Sequence, residues 1–348
     1  MIVSNCYKSK KHLKVYLSFR IFLTYISGMT EKKVAVIGAL STIGRAVLDS
    51  FAVRGFNADD IVALDVCPAT EAQVPYGAGT LPLQGLDYLE HGVVQVTCLC
   101  LHSLLSEYSD RILRHSCHVI DCTGVLNDGM CVVADLNMDD YLKHPTHLIS
   151  NPTSLTVTLS QVLAPLQDTF GIRSAEATAL LSAGEFGGPT VDALANQTRS
   201  FYTHEPIGEG PFGKVQAFNL VPEMCPSLSH QTTEQIRSIL GLSLMVSACL
   251  TPIFQGECYL LTVQTERKCT PAKLRKALPE QSLCRVPEKM APALTITTLD
   301  AIAGGYIYLT HFAPVPGHEH SFRCWVLCDS FRTGSALNAV LVSENLLS

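Results

Sequence analysis

Lys33-Val34-Ala35-Val36-Ile37-Gly38-Ala39-Leu40-Ser41-Thr42-Ile43-Gly44-Arg45-Ala46 passes from a short apolar run through a glycine into a segment with helical spacing, Ile43, Ala46, Val47 and Phe51. Working outward, Asp60–Asp65 reads as a second buried strand and 68–86 as a Pro/Gly-rich connection. Val93–Leu101 reads as a third strand, 104–115 as a helix and Cys117–Asp121 as a further strand. Strands alternating with helices predict a parallel, doubly wound sheet. The unbroken apolar character of the strands fits burial on both faces.

The first strand–helix junction has the context of a dinucleotide loop, with backbone N–H groups and a helix N-terminus available to a pyrophosphate. Gly38, Ala39, Ser41, Thr42, Ile43 and Gly44 are its candidate cofactor residues. Asp65, at the end of the second strand, could bind a ribose diol and would repel a 2′-phosphate. The spacing between Gly38 and Gly44 is loose, so these residues read equally as a sharp strand–helix turn without a ligand.

Near residue 150 the pattern changes. Ser150-Asn151-Pro152-Thr153-Ser154 is a turn leading into an amphipathic helix, Leu155–Leu166. Longer alternating strands follow at Arg173–Leu181, Leu244–Pro252 and Tyr259–Gln264, with helices at Thr232–Leu240 and Pro271–Ala277. Residues 183–230 read as irregular, Ala291–His311 as a further β-type stretch and Thr333–Leu347 as a helix. This is an α+β pattern with a mixed sheet. Such a sheet covers one face with helices and must bury the other, which predicts a homodimer through the second domain.

Of the 348 residues, 47% are hydrophobic and 16% charged, enough apolar material for a core and too little charge for a disordered chain. No run reaches the roughly 18 apolar residues of a membrane span. A net charge of −6 argues against nucleic acid. Residues 1–28 carry Lys8, Lys10, Lys11, Lys14 and Arg20 and no acid, and read as a disordered basic extension. The 14 cysteines form no C-x-x-C pairs and sit in apolar runs, as buried thiols of a cytoplasmic protein do. His311, His318 and His320 share one loop region but lack a metal-ligand spacing, and no metal is expected.

Gly38-Ala39-Leu40-Ser41-Thr42-Ile43-Gly44, Val119-Ile120-Asp121-Cys122-Thr123-Gly124, Asn151-Pro152-Thr153-Ser154-Leu155-Thr156, Phe218-Asn219-Leu220-Val221-Pro222 and Asp329-Ser330-Phe331-Arg332-Thr333-Gly334-Ser335-Ala336-Leu337-Asn338-Ala339-Val340 occur in that order. In this the chain resembles the aspartate-semialdehyde dehydrogenase family over nearly all of residues 32–347. The Pro152–Thr156 stretch resembles most a paralogous group that lacks the catalytic cysteine. The resemblance implies an N-terminal Rossmann-type dinucleotide-binding domain, residues 29–153, completed by the C-terminal helix, 328–348. It implies a C-terminal α+β dimerisation domain, 154–327. It also implies NADPH-dependent reductive dephosphorylation of aspartyl phosphate, in amino-acid biosynthesis, and adds Asn338 to the cofactor residues.

The reactive positions of that family are altered here. The nucleophilic cysteine is Ser154, the acid/base histidine Glu257 and an anchoring arginine Leu250. The glutamine that orients the acyl group is Ala179, and the phosphate-binding arginine aligns with Asn127. A serine hydroxyl needs a strong base, and a carboxylate at its reference pKa of about 4.3 is a poor one. Ser41 replaces a loop glycine, where a side chain would crowd a pyrophosphate, and Pro68 stands where the family reads a 2′-phosphate with arginine. The expectation is a catalytically degenerate homologue that keeps the fold and the dimer, alone or mixed with an active relative. NAD is favoured over NADP if either binds. The rival expectation is an active NAD(P)-dependent oxidoreductase or a hydrolase acting on an aldehyde or acyl phosphate. It would use Ser154 with Glu257, or a rescuing thiol, Cys122 or Cys258, of which Cys258 should point away from Glu257.

Overall fold

The computed structural model describes residues 34–91, 94–101, 105–126, 129–279, 282–287 and 295–348. The basic extension, residues 1–28, and the Asn127 position lie outside the described residues. The chain separates into two compact units. One runs through Asn151 and includes Ala339–Ser348; the other is Pro152–Asn338.

In the first unit β1 (Val34–Ile37) is followed by helix α1 (Thr42–Val53), β2 (Ile61–Asp65), β3 (Gln73–Tyr76), β4 (Gly79–Gly85) and β5 (Val94–Leu99). Then come α2 (Leu105–His115), β6 (Ser116–Asp121), β7 (Met130–Cys131), α3 (Ala134–Lys143) and β8 (Leu148–Ser150). The sheet order is β3-β4-β2-β1-β5-β6-β8-β7. It is parallel apart from the antiparallel β3–β4 pair. β1 lies between β2 and β5, with Ile37 opposite Leu64 and Leu99. This is the Rossmann-type arrangement expected, and every β1 residue is buried. On α1, Val47, Leu48 and Phe51 face the core. Each such side chain contributes roughly 1.5–3 kcal/mol on burial.

The connection expected at 68–86 contains the β3–β4 pair instead. Val74 and Tyr76 alternate inward with Gln73 and Pro75 outward. Pro75 made the segment read as a loop, but it stands in β3, an edge strand, where a missing N–H is tolerated.

The second unit begins with α4 (Ser154–Phe170) and β9 (Ile172–Leu181), then a short helical turn, Ala183–Phe186, and α5 (Gly188–Thr203). Next are β10 (Val221–Pro222), α6 (Pro226–Leu240), β11 (Leu244–Leu250), β12 (Glu257–Thr265), α7 (Pro271–Ala277) and β13 (Cys284–Arg285). The chain ends with α8 (Thr298–Gly304), β14 (Ile307–Val315), β15 (His318–Cys328), α9 (Ser330–Thr333) and α10 (Ser335–Leu347). The mixed sheet has the order β10-β11-β9-β12-β15-β14-β13. Leu155, Leu159, Val162, Leu163 and Leu166 of α4, with Ile236 of α6 and Leu274 of α7, pack against its inner residues Ala177, Ala179, Tyr259, Leu261 and Val326. On the other face Leu180, Cys258, Leu260 and Trp325 stay partly exposed and Met245 is 61% exposed.

Two sequence expectations fail here. Residues 183–230 are not irregular throughout, because α5 occupies Gly188–Thr203 with a proline in its first turn. The described part of the stretch 291–311, from residue 295, is not one strand. Thr297 and Asp300 form a capping box that starts α8, and β14 begins only after Gly305. The C-terminal helical segment also divides: the first unit takes α10 from Ala339 onward, and the second takes α9 and the first residues of α10. Arg54 pairs with Glu344 in the first unit, and Cys98 Sγ lies 3.7 Å from Ser343 Oγ.

Candidate functional site

Two clusters carry the candidate residues, one in each unit. In the first, the loop after β1 is fixed by contacts of its own. Gly38 has φ +81°, and a Cβ there would lie 2.8 Å from Leu101 Cβ. A Cβ on Gly44 would lie 2.1 Å from Gly38 O, so α1 can approach the strand end only because that residue is glycine. Ser41 is the N-cap of α1: its Oγ accepts from Gly44 N at 3.0 Å. The same hydroxyl donates toward Gly38 O at 2.7 Å and Cys100 O at 2.9 Å. Its side chain is therefore held by the protein backbone.

Gly38 N and Ala39 N both donate to Leu64 O, at 2.9 and 3.1 Å. The first helical turn, Thr42 and Ile43, presents N–H groups that lack intrahelical acceptors. Asp65 accepts from Val66 N at 2.8 Å and Leu40 N at 3.4 Å, which ties the end of β2 to the loop. The residues after it, Val66–Ala72, contain no cation.

Cys122 follows β6, as Cys100 follows β5, and the paired register makes the two neighbours. The Cys100 thiol, and then burial, hold the Cys122 thiol well above its ordinary range, although Asn151 Nδ2 donates to Cys122 Sγ at 3.5 Å. A protonated thiol in such surroundings is a poor nucleophile. Asp121 accepts from Thr123 N and Leu126 N, both at 2.8 Å, and shapes the turn after β6.

In the second unit Ser154 is the first residue of α4, 8% exposed, with Thr153 as N-cap. Its Oγ lies 3.0 Å from Ser335 Oγ and accepts from Ser335 N at 3.3 Å. Glu257 opens β12 and is fully buried. Tyr259 OH donates to Glu257 Oε2 and in turn receives Cys328 Sγ–H at 3.5 Å. No hydrogen bond joins Ser154 to Glu257. Leu250 is buried at the end of β11, and Ala179 is buried opposite Tyr259 in the sheet register. Cys258 is partly exposed between buried Glu257 and Tyr259, as strand alternation requires, and burial pushes its thiol up to about 11. Asn338 is buried in α10, its N–H on Gly334 O at 3.0 Å.

Glu257 is not an ordinary carboxylate. Burial is the main cause that raises its pKa, against the lowering effect of the hydrogen bond from Tyr259 and of the Glu185 and Ser330 side chains. Glu185, from the Ala183–Phe186 turn, faces it, and its carboxyl is raised well above the usual range by burial and by the Glu257 charge. Sequence reading, which stopped at Ala179 in this stretch, missed Glu185. An acid in a Gly-rich turn carries no mark of the carboxyl it will meet 72 positions later. Among the described residues no group of three or more His, Cys, Asp or Glu side chains could hold a metal, His311, His318 and His320 included. Nor is any described helix long and apolar enough to cross a membrane.

No family model matches the chain. Full-length relatives do. The aspartate-semialdehyde dehydrogenase of Rickettsia bellii is 24% identical over 334 residues, covering 92% of this chain and 99% of the relative. The USG-1 protein homolog of Azotobacter vinelandii is 25% identical over 332 residues, covering 90% and 97%. Among solved structures, a probable aspartate-semialdehyde dehydrogenase from Pseudomonas aeruginosa superposes with a TM-score of 0.81 at 23% identity, covering 92% of this chain and 99% of that one. Aspartate semialdehyde dehydrogenase II of Vibrio cholerae, complexed with ASA, gives 0.78 at 21% identity, covering 90% and 98%. With its motifs in order, both sheets in place and relatives that match along most of both chains, the chain is similar over nearly its whole length to aspartate-semialdehyde dehydrogenases and to USG-1 homologues, and it shares the fold of the former.

Proposed function

We propose that this chain is a non-catalytic member of the family that acts by binding, as a dimer. The observation that carries the reading is the state of Ser154. Its hydroxyl is spent on Ser335, no general base among the described residues is hydrogen-bonded to it, and Glu257 is bonded by Tyr259 instead. A serine without a base does not attack an acyl carbon at a useful rate. The arginine and glutamine positions, Leu250 and Ala179, offer only hydrocarbon to a substrate anion.

The first unit keeps a loop and helix N-terminus suited to a nicotinamide dinucleotide, held by Gly38, Ala39, Ser41, Thr42, Ile43 and Gly44. Asp65, with no cation after it, favours NAD over NADP. Asn338 completes the set of cofactor residues by the family resemblance. The second unit serves as the dimerisation domain through the partly exposed face of its sheet, in a homodimer or a mixed dimer with an active relative. Every described cysteine is a free thiol, which suits the cytoplasm.

The deciding assay is phosphate-dependent oxidation of aspartate semialdehyde by purified protein with NAD and NADP in turn. Loss of a catalytic set costs about 10⁴ to 10⁶ in rate, so turnover is expected to be undetectable beside an active relative. Turnover within tenfold of that relative would overturn the reading.

A further inference from the structure

The edge of the second sheet carries a cluster to which none of the candidate residues above belongs. β13 (Cys284–Arg285) is the outermost strand and runs parallel to β14, with Arg285 opposite Tyr308. Tyr306 stands two residues before Tyr308, so strand alternation puts both rings on one face, while Ile307 between them is fully buried on the other. The two rings meet edge to face with centroids 6.3 Å apart. The Arg285 guanidinium lies over the Tyr306 ring, 4.2 Å from its centroid. α7 adds Arg275, whose Nε and Nη2 donate to the carbonyls of Val286 and Pro287, each at 2.7 Å. These side chains line a cavity of about 570 Å³, together with Leu278, Val286 and Ile296.

We propose that this cavity binds a small aryl carboxylate, with the carboxylate held by Arg275 and Arg285 and the ring set against the tyrosines and the apolar wall.

Charge decides the sign of the ligand. Both guanidiniums stay protonated throughout the physiological range. Neither has a carboxylate within salt-bridge distance among the described residues. Arg285 Nη1 donates to the carbonyl of Ser282 and to that of Cys284, the latter at 2.9 Å. A guanidinium has more N–H donors than these carbonyls use, so both arginines keep donors for a ligand. Two cations at one cavity without a counter-charge favour an anion, and a carboxylate offers two oxygens to a guanidinium fork. The Tyr308 hydroxyl has no hydrogen-bond partner among the described residues and supplies a further donor. A Cβ on residue 304 would lie 2.6 Å from that hydroxyl, so Gly304 is what lets the ring reach its position.

Size and lining decide the rest. A bare inorganic anion would occupy only a small part of the cavity. The wall of Leu278, Val286, Ile296 and two phenol rings is the mostly apolar lining, with a few placed polar groups, that suits an organic body. An aromatic body can meet the tyrosines by edge or by face. Arg275 clamps the backbone directly after Arg285, and the Tyr306 stack holds the Arg285 guanidinium plane. Binding therefore orders little that is not ordered already. The site shares no residue with the Gly38 or Ser154 clusters, so it stands whether or not the chain is catalytic.

Calorimetric titration of the full chain with 2-naphthoate, 2-naphthamide and inorganic phosphate tests the proposal without any variant. 2-Naphthoate should saturate a single site per chain. It should bind at least about tenfold more tightly than the amide, which keeps the ring and loses the charge, and than phosphate, which keeps a charge and lacks the ring. Arg285→Leu should weaken 2-naphthoate by at least about tenfold and Tyr308→Phe by about fivefold, with the circular dichroism spectrum unchanged. Absence of saturable 2-naphthoate binding to wild type would overturn the proposal, as would an amide or a phosphate that binds equally well. So would a folded Arg285→Leu variant with wild-type affinity, because the probe would then sit elsewhere.

Discussion

Gly44→Ala sets two physical expectations against each other. Gly44 is a helical residue of α1, where replacing glycine by alanine normally stabilises by about 1 kcal/mol. Here the new Cβ would sit 2.1 Å from Gly38 O and 2.9 Å from Gly38 C, both backbone atoms that cannot swing aside. Helix and loop must separate by about 1 Å to restore normal contact. Three hydrogen bonds meet at that point: Ser41 N on Gly38 O at 2.9 Å, Ser41 Oγ on Gly38 O at 2.7 Å and Gly44 N on Ser41 Oγ at 3.0 Å. At a net value of about 1 kcal/mol each, losing them costs about 3 kcal/mol. Subtracting the propensity gain leaves a destabilisation of about 2 kcal/mol. For a unit of this size that corresponds to a Tm about 4–8 °C lower. Differential scanning calorimetry of the variant beside wild type measures it. An unchanged or raised Tm would show that propensity wins, and that the close approach of α1 to the strand end is not as described.

Three further outcomes are expected. Calorimetric titration should show NAD binding more tightly than NADP, with Asp65→Ala narrowing the difference; tighter NADP binding by wild type would reject the role given to Asp65. Combining Ser154→Cys, Glu257→His and Leu250→Arg should raise semialdehyde dehydrogenase activity above the wild-type background if the remaining pocket is intact, and no gain in a folded, dinucleotide-binding triple variant would mean that the substrate site has gone as well. Analytical ultracentrifugation should show a dimer, and Leu260→Arg, on the partly exposed sheet face, should shift it toward monomer; a concentration-independent wild-type monomer would remove the sheet face as an interface.

The order of elements in the first unit was legible because each carries its own pattern. β1, β2, β5 and β6 are short apolar runs, and a strand buried on both faces needs no partner's identity to be recognised. α7 was readable to the residue, since Thr270 and Pro271 mark a helix start locally. The β3–β4 pair was hidden because an edge strand tolerates prolines that a loop also favours. α5 was hidden because its turn-like leader, Gly187-Gly188-Pro189, resembles a loop until the helix that follows is built.

The altered residues were also legible one by one. Ser154, Glu257, Leu250 and Ala179 are departures from a motif, and a motif is local. Sequence determined which groups this protein possesses at its reactive positions, and that the strand–helix frame around them persists. Tertiary structure decided what those groups became. It gave the Ser41 hydroxyl to the Gly38 and Cys100 carbonyls, gave Ser154 to Ser335, and buried Glu257 completely against the Tyr259 hydroxyl. A reference pKa belongs to a solvated side chain, whereas the proton affinity of Glu257 is set by neighbours from the 183–186 turn, β12 and α9. These come together only when the second sheet closes, and no spacing along the chain encodes their distance or their burial.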